Sequence, residues 1–127
     1  MTSKSSGRFL VAIIDDDESV RESLPDLLRE GGYAAQAFAS AEEFLDAGDH
    51  ARTRCLVLDI AMPGMSGPEL QLELQRRGRP IPVVFITANG DEAMRPRLLE
   101  QGAVDCLFKP FSDTALLTAI GSAVRAA

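Results

Sequence analysis

Asp15-Asp16-Asp17, Asp59, Thr87 and Lys109 are the residues of this chain whose types and placement could do chemistry together. Each directly follows a short strand-like run: Phe9 to Ile14, Cys55 to Leu58, Val83 to Ile86 and Val104 to Phe108. A single polar residue after a strand is an ordinary loop residue, and Asp is an ordinary helix cap. Four strands that each deliver a reactive group to one edge point to a site. Carboxylates gathered at one spot repel, each pair at about 4 Å costing on the order of 4 kcal/mol at an effective dielectric near 20. A hard divalent cation relieves that repulsion, and Mg²⁺ characteristically takes one or two carboxylates plus waters and phosphate oxygens. Lys109 adds a point positive charge and Thr87 a hydroxyl donor. Carboxylates, cation, ammonium and hydroxyl are what a transferring phosphoryl group needs, and an Asp carboxylate such as Asp59 can act as the nucleophile.

Other chemistries lack their marks. No GxGxxG follows the first apolar run, so a dinucleotide site has no fingerprint, and the acidic cluster would repel a pyrophosphate. Asp15, Asp17 and Ser19 hold part of a calcium-loop spacing without its glycine and terminal glutamate. His50, the sole histidine, has no partner at metal-ligand spacing and reads as a loop residue. The four methionines read as packing and loop residues. With 19 acidic against 13 basic residues, the net charge of −6 disfavours nucleic acid binding by this segment. The apolar run Phe9 to Ile14 is too short to cross a membrane and has no signal-peptide cleavage pattern. Cys55 and Cys106 sit inside the strand-like runs as small buried residues, which suits a reducing cytoplasm.

The elements that must position these groups follow from periodicity. Residues 1–8 read as a disordered lead-in, and residues 9–127 as one domain. Phe9 to Ile14 is an unalternating apolar strand, buried on both faces. Val20, Leu24, Leu27 and Leu28 mark a helix from Glu18 to about Glu30, stopped by Gly31-Gly32, with a bend expected at Pro25. Tyr33 to Phe38 is a weaker strand. Ser40 caps a helix in a capping-box arrangement with Glu43. Cys55 to Leu58 is the third strand, followed by the loop Met62 to Gly67. Glu69 to Gln75 alternates like a strand, but its residues are helix formers and Pro68 suits a first helical position, so a helix is predicted. Val83 to Ile86 is the fourth strand. Glu92 to Gln101 is a helix with Pro96 inside it, Val104 to Phe108 the fifth strand, and Asp113 to Arg125 the last helix. Five strand–helix units predict an α/β fold, a doubly wound parallel sheet with helices on both faces.

The stretches VAIIDDDESVRESL, CLVLDIAMPGMSGPEL, VVFITANGD and GAVDCLFKPF together resemble the receiver domain of bacterial two-component response regulators, and they cover nearly the whole chain from Phe9 on. The wording is closest to receivers that precede a LuxR-type helix-turn-helix domain, of the nitrogen-fixation regulator kind. The resemblance implies a flavodoxin-like five-stranded sheet of order 2-1-3-4-5. It implies Asp59 as phosphoacceptor, with Asp16 on Mg²⁺ directly, Asp15 mainly through water, and the backbone carbonyl of Ala61 completing the protein ligands. Thr87 and Lys109 then bind the phosphoryl oxygens, the small Ala88 leaves room for them, and Asp17 is a helix cap only. A cis Lys109–Pro110 bond is also implied, aiming Lys109 toward Asp59. Implied partners are a histidine kinase and an output domain or effector, the chain itself being a monomer or weak homodimer. Such a chain is not an enzyme with a separate substrate; it catalyses its own phosphorylation and dephosphorylation.

Two positions depart from the family pattern. Cys106 stands three residues before Lys109, where a swinging Tyr or Phe is usual. Pro96 interrupts the fourth helix, which normally transmits the signal, so that helix is expected to begin late or be irregular. Two other readings stay open on the residues alone. One is an Mg²⁺-dependent phosphohydrolase of dehalogenase-like type, which would need a cap or larger core. The other is a receiver-like module that no longer needs phosphate, whose mark would be a lost Asp59 or Lys109.

Overall fold

The computed structural model describes residues 8–88 and 93–126 of the chain. Strands β1 (Leu10–Ile14), β2 (Ala34–Phe38), β3 (Thr53–Asp59), β4 (Val83–Thr87) and β5 (Asp105–Phe108) alternate with helices α1 (Glu18–Glu30), α2 (Ala41–Ala47), α3 (Gly67–Arg76), α4 (Met94–Glu100) and α5 (Asp113–Ala126). All four strand pairings are parallel, and the sheet order is β2-β1-β3-β4-β5.

Alternation along the central strands divides the core. Val11, Ile13, Cys55, Val57, Val84 and Ile86 face one cluster, which holds Leu24 and Leu28 of α1 and Leu116 and Ile120 of α5. Ala12, Ile14, Leu56, Leu58, Val83 and Phe85 face the other, which holds Phe44, Leu70, Leu74 and Leu98 of α2, α3 and α4. Both faces being covered is why these strands read as unbroken apolar runs. Burying each of the Val, Leu, Ile and Phe side chains among them contributes about 1.5–3 kcal/mol.

Several boundaries are corrected. β3 reaches two residues earlier than Cys55 and includes Asp59; β5 begins at Asp105 rather than Val104. α3 spans Gly67 to Arg76, with Pro68 second rather than first in the helix, and Ser66 and Glu69 form a reciprocal capping box. Ser40 accepts the Glu43 amide at 3.0 Å, but the Glu43 carboxylate returns to the Ala39 N–H rather than to Ser40. α1 runs unbroken through Pro25, whose ring is buried. Pro96 does not interrupt α4: it is the third helical residue, where amides have no intrahelical partner in any case. The predicted start at Glu92 lies outside the described residues, as do most of the expected lead-in and residues 89–91 of the loop after Thr87.

Candidate functional site

Strand register alone assembles the site. Ile14 pairs with Leu58, so the next residues, Asp15 and Asp59, leave adjacent strands side by side. Asp59 pairs with Ile86, which precedes Thr87, and Thr87 pairs with Phe108, which precedes Lys109. With strands about 4.8 Å apart, four predicted residues reach one edge of the sheet. The Lys109 N–H donates to the Thr87 carbonyl at 2.8 Å, extending the β4–β5 ladder past the last strand residue.

Asp15 is fully buried: its Oδ2 accepts from Lys109 Nζ at 2.9 Å, and its Oδ1 from the Asp17 N–H at 2.9 Å. The Lys109–Pro110 bond is cis, as the resemblance implied. The Lys109 ammonium is nevertheless hydrogen-bonded to Asp15, the more deeply buried of the two carboxylates, and supplies the charged partner that such burial requires. Asp16 is exposed, and Asp59 and Thr87 are buried. One carboxylate oxygen from each of Asp15, Asp16 and Asp59 lies within 4.8 Å of the others.

Asp59 carries the electrostatic signature. Burial, and next the negative charge of Asp15, push its carboxyl up to about 7, with Asp16 adding to the rise and the Lys109 ammonium opposing it. Asp17 stands apart from this set. It caps α1, accepting the Ser19 N–H at 2.9 Å and the Ser19 hydroxyl at 2.8 Å, and those bonds hold its carboxyl below the usual range.

Some positioning residues were not picked out from sequence. Arg21 Nη1 donates to the Asp15 carbonyl at 3.0 Å from one turn into α1. Glu42 of α2 accepts the Met65 N–H at 3.0 Å, tying α2 to the loop that follows Asp59. Gly67 opens α3 against the Asp59 carbonyl, and a Cβ there would come within 2.3 Å of that oxygen. The MSGPEL stretch signals a turn into a helix, but no local pattern signals a contact made across 23 residues. Cys55 and Cys106 are both free and buried, and Cys106 lies in the cluster beneath α4. Burial pushes the Cys106 thiol up. His50 is used structurally, stacked on Phe44 and donating from Nε2 to the Phe44 carbonyl at 2.9 Å.

Comparison with known proteins agrees with this geometry. Residues 11–121 match the family described as the response regulator receiver domain. Nodulation protein W of Bradyrhizobium diazoefficiens is 44% identical over 96% of this chain and 54% of its own length. The transcriptional regulatory protein FixJ of Azorhizobium caulinodans is 44% identical over 87% of this chain and 52% of its own. The chain thus spans about half the length of these curated relatives. Among solved structures, that of FixJ-N is 40% identical with a TM-score of 0.81, covering 92% of this chain and 94% of that one. That of the response regulator StyR is 46% identical with a TM-score of 0.85, covering 92% and 59%.

Proposed function

The chain belongs to the response regulator receiver domain family of two-component phosphorelay signalling, and from that premise we propose that Asp59 is its phosphoacceptor. The observation that carries this reading is the placement of Asp59: a buried carboxylate ending the central strand, beside two other aspartates and the part-buried Lys109–Asp15 ion pair.

In this reading an Asp59 carboxylate oxygen attacks phosphorus in line with the leaving group. The new O–P bond forms as the bond to the donor breaks, and the donor leaves with that electron pair. Lys109 keeps one N–H on Asp15 and offers its remaining donors to the phosphoryl oxygens, while the Thr87 hydroxyl takes another. The donor set fits a hard cation, because it is all oxygen and because the negative charge of Asp15, which adds to the effect of burial on Asp59, is what a cation relieves. Asp16, Asp59 and the Ala61 carbonyl would hold Mg²⁺, with Asp15 acting through water. When bound, the ion supplies charge neutralisation for the transferring phosphoryl group.

The phosphoryl donor in this reading is a histidine kinase, and the same residues serve hydrolysis, in which water attacks phosphorus, the Asp59 O–P bond breaks and phosphate leaves, so the chain turns over only itself. An output domain or effector reads the phosphorylated state, in the cytoplasm, with the chain a monomer or weak homodimer. Among the described residues no helix is long and apolar enough to cross a membrane. The test is phosphoryl uptake from acetyl phosphate with Mg²⁺, with EDTA, and in Asp16→Ala. The proposal expects loss of uptake in EDTA and weaker Mg²⁺ binding in the variant by titration. Uptake indifferent to both would remove its basis.

A further inference from the structure

At the opposite edge of the sheet, where the strands begin, the described residues surround an open groove of about 840 Å³. That volume lies within the range of small-molecule sites, about 300–1,000 Å³. Thr53 at the start of β3, Ile81 and Pro82 before β4, Val104 before β5 and the residues after α3 form its walls. Asp59, Thr87 and Lys109 lie at the other ends of these strands, so nothing in the groove depends on the phosphoacceptor reading.

Its charge runs against that of the chain. None of the lining residues is acidic, although acidic residues outnumber basic ones 19 to 13 overall. Arg54 and Arg79 line it, and neither has a carboxylate partner among the described residues. Arg54 is held over the Phe9 ring, 4.8 Å from its centroid, which fixes the side chain without consuming its charge.

A second observation concerns Gln71. It is 5% exposed, lines the groove, and its amide makes no hydrogen bond among the described residues. No fully occluded side-chain polar atom among the described residues lacks a partner, so the Gln71 amide is not fully occluded, and the groove is the space that Gln71 lines. Gln75, one helical turn on, brings its Nε2 to the same place: both amide nitrogens lie 3.9 Å from the point where a Cβ on Gly102 would stand. Gly102 has φ +108°, a conformation that suits glycine and leaves that point open.

We propose that this groove binds a small oxyanion, carried by a phosphate or a carboxylate. Guanidinium groups match the geometry of both anions, and two neutral amide donors add bonds without adding charge. An oxyanion in the groove gives the Gln71 amide the partner that the protein does not supply.

Amide-resolved NMR titration of the chain tests this, with inorganic phosphate in one arm and succinate in the other, at constant ionic strength set by chloride. The proposal expects saturable shifts at the Gln71 and Gln75 side-chain amides and at Gly102, and the arm that saturates at lower concentration names the anion. Arg79→Ala and Gln71→Leu should each weaken that binding at least about tenfold, while Asp59→Asn leaves it unchanged. Both groove variants should still take up phosphoryl groups from acetyl phosphate, which shows them folded. Absence of saturable shifts in both arms overturns the site. So do shifts that survive both groove variants, or shifts confined to the Thr87–Lys109 edge.

Discussion

Asp59 lies between opposed fields, and the pH response of the protein follows from their balance. Its folded carboxyl is raised to about 7, first by burial and then by Asp15, from an ordinary value near 3.8. A raised carboxyl is favourable in its protonated form. Its contribution to stability is therefore complete below the unfolded value and is lost as pH rises through about 7. After solvent screening this loss is on the order of 1–2 kcal/mol. Metal-free protein should accordingly lose stability in urea between about pH 4 and pH 7, and Asp59→Asn should flatten that slope. Mg²⁺ competes with the same proton, so its affinity should rise with pH across this window. A slope unchanged in Asp59→Asn would place the titrating group elsewhere. Lys109 has a structural duty beside the chemical one proposed for it, because its ammonium is the charged partner of the fully buried Asp15. Lys109→Ala leaves that carboxylate unpaired and should cost about 3 kcal/mol by urea unfolding. A loss below about 0.5 kcal/mol, the range of ordinary surface changes, would mean the pair carries no such weight.

At the scale of elements, α3 shows what periodicity can and cannot decide. Leu70, Leu72 and Leu74 alternate as in a strand, yet Leu70 and Leu74 are buried and Leu72 is 57% exposed. Helix propensity was the better guide, since on a strand all three would share one face. Leu70→Ala should therefore cost about 2–5 kcal/mol, and Leu72→Ala should stay within about 0.5 kcal/mol; equal losses would contradict the helical placement. The fourth helix differs from the first in support. α1 has 13 residues, a side-chain cap from Asp17 and three buried residues, whereas α4 has 7 residues, no side-chain cap and one buried residue, Leu98. Amide exchange should find α4 clearly less protected than α1, because so short a helix holds only through its packing. Equal protection would show that Pro96 and the missing cap leave α4 no looser. Cys106 lies buried in the same apolar cluster as Leu98 of α4.

For the molecule as a whole, strand-end residues were legible because a doubly wound sheet sends every strand's carboxyl end to one edge. Asp15, Asp16, Asp59, Thr87 and Lys109 could thus be named from local runs and resemblance, and register then brings their strand ends together. Less legible were contacts made between elements. The Lys109 ammonium pairs with Asp15, Arg21 holds the Asp15 carbonyl, and Glu42 reaches the loop after Asp59. Nothing in a local window encodes the Lys109 and Glu42 contacts, which span 94 and 23 residues. Boundaries shifted by a residue or two for a similar reason: Thr53 and Asp59 join β3 through pairing with neighbours rather than through apolar character. A receiver works only if the phosphoryl group favours one of its two states over the other, so its behaviour depends first on where that group is attached. Intact-mass measurement after incubation with acetyl phosphate and Mg²⁺ decides it most directly. The account predicts one added phosphoryl group on the wild-type chain and none on Asp59→Asn, with the variant's circular dichroism unchanged. A folded Asp59→Asn chain that gains the same mass would contradict it.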